Sequence, residues 1–263
     1  MDGLQNQWCN LRLSEEEDAS IVLEDVDVSV VKSKGDLSLI GKIWCDRQLG
    51  KQVVESTMAR IWRLSKPAVM KEVGKNVFVL SFATHADKER IEAGRPSFFD
   101  GQLFVIIPFD GITPVQALKF DAAPFWVQFH NLPLFGMNKE YGVKLGGSIG
   151  SVLEVDVDHD EVGWGSCLRV KIMIDLKKSL ARGRTCTVQG TKVWCPIQYE
   201  KLPRFCFTCG RIIHENSTCQ LEPKATPQFG AWLQAESSFK RKWESLQEHN
   251  IKGGAMNNRV MQE

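Results

Sequence analysis

The sequence predicts an α+β protein: two folded units built around strands, followed by a small knuckle held together by metal. Three observations carry that reading. Apolar residues alternate at period two over short stretches such as Phe78, Leu80 and Phe82, the pattern of half-buried strands. They recur every three or four residues over Val53/Val54, Thr57/Met58 and Ile61/Trp62, the pattern of an amphipathic helix. Finally, Cys206, Cys209, His214 and Cys219 stand at the spacing C-x2-C-x4-H-x4-C, a ligand set suited to zinc.

The first unit spans residues 35–110, after an acidic segment over 1–34. A strand is expected from Leu37 to Cys45 and a helix from Lys51 to Trp62. Strands from Ala68 to Val73 and from Asn76 to Phe82 flank a Val73-Gly74-Lys75-Asn76 turn, and a helix from His85 to Ala93 leads to a strand from Gln102 to Phe109. This βαββαβ order is ferredoxin-like, as in RNA-recognition motifs. Such motifs stack bases on third-strand aromatics, yet those positions here hold Val77 and Val79. Phe78 and Phe82 alternate to the opposite face and should pack beneath the helices. The unit is therefore expected to resemble that motif in shape but to serve as scaffold or protein-contact surface.

A boundary over 113–124 opens a second unit, residues 124–203. Phe125 to Phe129 alternates as a strand and ends at an Asn131-Leu132-Pro133 turn; Asn138 to Leu145 reads as helix. Strands follow at Val152 to Val157 and Leu168 to Ile174, then a hairpin of Arg184 to Val188 with Val193 to Tyr199 about Gln189-Gly190. No second helix is evident, so the unit is expected to be a β-rich α+β appendage. Arg169 and Lys171 share one face of a strand on which Ile172 looks out of phase, and they suit either a solvated edge or a phosphate-binding ribbon. Trp126, in phase with Gln128 and His130, suits a core edge or a base-stacking site.

Residues 204–222 form the knuckle. Two cysteines two residues apart can bind one ion across a tight turn, and His214 with Cys219 completes a tetrahedron. Four protein ligands leave no position for a reactive water, so one zinc here is structural and replaces a core that so short a segment cannot build. Knuckles commonly have glycine before the histidine, where this chain has Ile213; Gly210 after the second cysteine supplies one permissive turn position. Phe207, between two ligands, is placed either to stack on a base or to pack with Ile212 and Ile213, while Lys201, Arg204 and Arg211 surround it. In the tail, residues 223–263, a helix is expected from Phe229 to Gln247, with Trp232, Ala235, Phe239, Trp243 and Leu246 on one stripe. That stripe would either dock on the body or mediate self-association.

Charge supports the same division. The chain has 33 Lys+Arg against 32 Asp+Glu, a formal net charge of +1. Residues 1–30 nevertheless carry eight acids against one base, and Gly165 to Arg204 carries nine bases against two acids. A polyanion would select the second region, where Lys177, Lys178, Arg182 and Arg184 are expected to form a patch continuous with Lys201, Arg204 and Arg211. The longest clean apolar run, Leu103 to Ile107, is too short for a bilayer, and the acidic start is unlike a signal peptide, so an intracellular location, nuclear or cytoplasmic, is expected. His85, His130, His159 and His249 accompany no recognisable nucleophile motif, and Glu154 to Glu161 lacks the glycine and closing glutamate of a calcium loop. A non-enzyme is expected.

Six stretches together carry a resemblance over about residues 12 to 236: LIGKIWCDR (39–47), FFDGQLFVI (98–106), FWVQFHNLP (125–133), GWGSCLRVKIMIDLKKSLARG (163–183), YEKLPRFCFTCGRIIHENSTC (199–219) and QFGAWLQAE (228–236). The chain resembles a plant family that joins a domain of unknown function to a CX2CX4HX4C zinc knuckle, itself similar to the gag-like first-reading-frame protein of LINE-type retrotransposons. The resemblance implies one zinc on Cys206, Cys209, His214 and Cys219, and binding of nucleic acid, expected to be single-stranded RNA or DNA. The alternative is a protein-interaction or assembly module with a structural knuckle.

Overall fold

The computed structural model describes residues 11–12, 14–19, 33–109, 111, 113–188, 190–214, 219–222 and 227–235. Most of the acidic segment lies outside these. Its described part includes a four-residue helical turn, Glu15–Asp18, in which Ser14 Oγ accepts from the Glu17 amide and the Glu17 carboxylate accepts from the Ser14 amide.

The first unit contains β1 (Ser38–Ile43), α1 (Lys51–Trp62), β2 (Val69–Gly74), β3 (Val77–Ser81), α2 (His85–Ala93), β4 (Ser97–Phe99) and β5 (Gln102–Pro108). The five strands form an antiparallel sheet in the order β2-β3-β1-β5-β4. Strand β4, a short hairpin partner of β5, was not expected; three residues are too few to show a period. One sheet face carries Leu39, Ile43, Met70, Phe78, Leu80, Phe104 and Ile106 and buries them with Val54, Met58 and Trp62 of α1 and Ile91 of α2. Trp62 stacks on Phe104 with ring centroids 6.1 Å apart. Each such side chain contributes about 1.5–3 kcal/mol on burial.

The opposite face of this sheet is also apolar. Ile40, Val77, Leu103 and Val105 belong to the cluster that forms the interior of the second unit, with Val79 and Ile107 partly buried against it. The connecting segment contributes Phe120, and the Trp44 indole donates to the Phe120 carbonyl at 2.9 Å. Val77 and Val79, which occupy the positions where base-stacking aromatics would stand, thus face an apolar interior.

The second unit contains β6 (Ala122–Phe129), α3 (Lys139–Gly147), β7 (Ser151–Val155), β8 (Leu168–Asp175), β9 (Gly183–Val188) and β10 (Thr191–Tyr199), in the antiparallel order β7-β8-β6-β10-β9. Phe125, Val127 and Phe129 of β6 pair across from Ile172, Val170 and Leu168 of β8, and all six are fully buried. Ile172 therefore keeps the alternation of β8 and is not out of phase: Leu168, Val170, Ile172 and Ile174 all point inward. Helix α3 lies close on β7 and β8 because Gly142 and Gly146 face them. A Cβ on Gly146 would stand 2.6 Å from the Val152 side chain and 3.0 Å from that of Val170.

Asn76, at the turn between β2 and β3, fastens the loop after β1. It is buried, in the left-handed region at φ 56°, and its amide donates to the carbonyls of Cys45 (3.1 Å) and Arg47 (2.9 Å) and accepts from the Leu49 amide (2.9 Å). Replacing Asn76 by alanine leaves the Leu49 amide without its acceptor. We expect a loss of about 2–4 kcal/mol in urea denaturation, with an unchanged slope.

Candidate metal centre and its surroundings

The metal centre begins with a turn. After Tyr199 ends β10, the chain reaches Cys206, whose carbonyl accepts from the Gly210 amide at 2.7 Å while its own amide donates to the Arg211 carbonyl at 2.9 Å. This closed turn brings Cys206 and Cys209 together and requires Gly210 at φ 75°, where other residues are strained. The ligand atoms of Cys206, Cys209, His214 and Cys219 all lie within 4.8 Å of one another, and Cys209 Sγ is 3.2 Å from His214 Nε2. Tetrahedral zinc with Zn–S near 2.3 Å requires ligand atoms about 3.8 Å apart, so the four residues fit one structural zinc. Thiols must ionise to bind it. Burial opposes ionisation of Cys206, but the amides of Cys209 and Thr208 hold its pKa below the ordinary thiol value. Burial pushes Cys209 up to about 11. Zinc uptake at neutral pH must therefore displace a proton from Cys209, and affinity should fall as pH falls.

The knuckle is fastened to the second unit by its backbone. The Leu180 amide donates to the Gly210 carbonyl at 2.9 Å, the Ile213 amide to the Leu176 carbonyl at 3.0 Å, and Ser179 Oγ to the Cys209 carbonyl at 2.7 Å. Ile213, in the position where glycine is usual, is buried in the cluster that holds Leu176 and Leu180. Its φ is not positive, so no glycine is needed there, and the side chain anchors the knuckle.

Residues 227–235 cover the other side. They do not begin the helix expected from Phe229. Instead they make a single 3-10 turn, Ala231–Leu233, and a parallel bridge from Gln234 to Tyr199. Packing overrides the helical period: Leu233 is fully buried, whereas Trp232, expected on the apolar stripe, is 55% exposed. Phe229 lies against Gly210, where a Cβ would be 2.3 Å from its ring. The remainder of the expected helix lies outside the described residues. Phe229 and the docking of the knuckle on the backbone of the 176–180 loop are parts of this site that sequence reasoning missed, although it placed Lys177 and Lys178 near the knuckle. The motif containing Phe229 was visible, but not its destination.

The expected basic residues are not equivalent. Arg184 donates to Ser148 Oγ and to the Ser148 carbonyl, each at 2.9 Å, capping the end of α3. Arg182 donates to Gln228 Oε1 at 2.6 Å and lies 5.6 Å from the Phe229 ring centroid. Lys178 pairs with Asp175 at 3.5 Å, Lys177 lies 3.9 Å from Asp121, and Lys201 reaches the Gly94 carbonyl of the first unit at 3.3 Å. The ribbon residues, on the outer face of β8, are engaged as well: Arg169 bonds Glu200 and Asp156 and covers Trp126 at 4.5 Å, and Lys171 donates to the Ala93 carbonyl at 3.2 Å. A continuous patch of free cations is therefore not what the fold forms. Arg204 and Arg211 are exposed. Phe207 is 54% exposed, with its ring 5.0 Å from that of Phe205. Asp158, in the acidic stretch, accepts from the amides of Asp160 and Val162 and shapes a turn.

A family model described as zinc knuckle matches residues 175–221, a span that includes the docking loop as well as the four ligands. The chain is similar to an uncharacterized protein of Arabidopsis thaliana, 26% identical over 102 residues, which make up 37% of this chain and 32% of that protein. It thus spans about a third of that relative's length. A structure of the C. elegans NONO-1 homodimer aligns over 86% of this chain and 88% of that one at 15% identity, with a TM-score of 0.24, too low to indicate a shared fold. No helix among the described residues is long and apolar enough to cross a membrane.

Metal analysis should find one zinc per chain, lost in Cys209→Ser and retained in Cys45→Ser. Because the knuckle is bonded to the 176–180 loop, chelation should speed hydrogen exchange at the Leu180 and Ile213 amides while leaving β1 and β3 protected. Equal exchange at Leu180 with and without zinc would show that this docking does not depend on the metal.

Proposed function

We propose that the chain is a zinc-dependent nucleic-acid-binding protein, gag-like in the sense of retrotransposon first-reading-frame proteins, that takes single-stranded RNA or DNA at the knuckle. The observation that carries the reading is Phe207: a large aromatic ring left exposed between two zinc ligands, supported on one edge by Phe205 and flanked by the exposed Arg204 and Arg211. A ring fixed by metal loses little freedom when a base stacks on it, and stacking with nearby cations is how single strands are held without base pairing. In this reading the first unit is an RNA-recognition-like, ferredoxin-like scaffold whose sheet face is given to the inter-unit core. Arg182, Arg184, Lys177, Lys178 and Lys201 add to the local positive field more than they contact phosphate. The protein has no catalytic role and acts inside the cell, in nucleus or cytoplasm.

A specific observation favours the second reading, an interaction or assembly module. Leu132, Phe135, Tyr141, Leu145 and Val188 line an apolar hollow of about 280 Å³, in which Phe135 and Tyr141 are exposed. The two readings separate in one titration with a labelled single-stranded oligonucleotide. Phe207→Ala should weaken binding by about 1–3 kcal/mol with little change in salt dependence. Arg204→Gln with Arg211→Gln should flatten the salt slope by about one to one and a half. Wild-type affinity in both variants would favour the interaction module.

A further inference from the structure

Where the end of the first sheet meets the knuckle, a cleft of about 630 Å³ opens, within the size range of ligand sites. Lys42, Trp44 and Lys75 form one wall, and residues 212–214, the segment that closes the zinc site, form the other. Register explains the first wall. Lys42 of β1 pairs with Val77 and Val105, so it points to the same side of the sheet as those valines, but at the edge of the apolar cluster. Lys75 lies in the adjoining turn.

The charges on this wall are not matched by counter-charges. The Lys42 ammonium is half-buried, 4.2 Å from the Trp44 ring centroid, and makes no hydrogen bond or ion pair among the described residues. Lys75 is exposed and likewise has no carboxylate partner among them. Of the carboxylates on the lining, Asp100 is engaged by Arg47 at 3.2 Å, and Asp46 has a partner other than these lysines. Burial, followed by the positive charges of Lys177 and Lys75, lowers the Lys42 pKa. Lys42 and Lys75 thus bring two cations from two segments to one wall, an arrangement that an incoming anion relieves.

We propose that this cleft is a binding site for the phosphodiester backbone of a single nucleic-acid strand, with Lys42 and Lys75 as the phosphate-contacting groups. The inference rests on the reading of the knuckle as a nucleic-acid site and extends it: the strand that stacks on Phe207 continues between the knuckle and the first sheet, so both units hold it. Zinc and the first unit are then coupled, because losing the metal removes one wall of the cleft.

The test is fluorescence anisotropy of a labelled 12-nucleotide single-stranded RNA against the full zinc-loaded chain across a salt series. Two phosphate contacts with a slope of about −0.7 each are worth about 20-fold in affinity at 0.1 M salt. Lys42→Gln with Lys75→Gln should therefore bind about 20-fold more weakly at that salt, with the slope flattened by about 1.4. Because Lys42 packs on Trp44, Lys75→Glu alone serves as the second variant; it is exposed, leaves the fold intact, and should weaken binding at least fivefold. If both variants bind as wild type while Phe207→Ala binds weakly, the cleft is not the site and the knuckle reading stands. If the wild type binds no oligonucleotide, both readings fall. If polyphosphate of equal charge displaces the RNA completely and Phe207→Ala has no effect, the cleft is a general polyanion site and the strand assignment is overturned.

Discussion

The arrangement depends on one constraint: the first sheet is apolar on both faces and cannot leave either in water. Leu39, Phe78 and Phe104 are covered by α1 and α2 of their own unit, whereas Ile40, Val77, Leu103 and Val105 are covered only by the cluster of the second unit and the connector. Burial of those four side chains makes the two sheets one folding problem. It also removes that sheet face, with Val77 and Val79, from solvent and from any ligand.

The knuckle follows the same logic on a smaller scale. Fourteen residues from Cys206 to Cys219 have too little apolar surface for a core, and the four-ligand cluster supplies the missing cohesion. Metal alone would leave a bead on a string. The Ile213 side chain, the Leu180 and Ile213 amides and the Phe229 ring fix its orientation on the second unit. Ile213 in place of glycine is thus a structural substitution: freedom in the turn is exchanged for an anchor.

Charge is distributed by the same principle that half-buried polar groups find partners. Arg169, bonded to Glu200 and Asp156 over Trp126, and Arg184, bonded to Ser148, hold the second unit together from within. Among the expected basic residues, Arg204 and Arg211 beside the knuckle remain exposed. A count of bases along the chain overstates the patch, because it cannot distinguish a guanidinium that caps a helix from one that faces solvent.

Sequence alone determined what depends on neighbours in the chain. The 3.6-residue period marked α1, the two-residue period marked β3 and β6, and ligand spacing marked the metal centre, because helical turns, pleats and chelate loops are all short-range geometry. Tertiary structure decided what depends on residues far apart. Strand β4 forms only against β5; residues 229–235 abandon a helical period because Leu233 and Phe229 find burial beside Tyr199 and Gly210; and Lys42 and Lys75 come to line one cleft with residues 212–214 only when the sheet and the knuckle meet. Burial free energy is set by the complete packed surface, not by the local chain, so the destinations of these side chains were not legible until the units were joined.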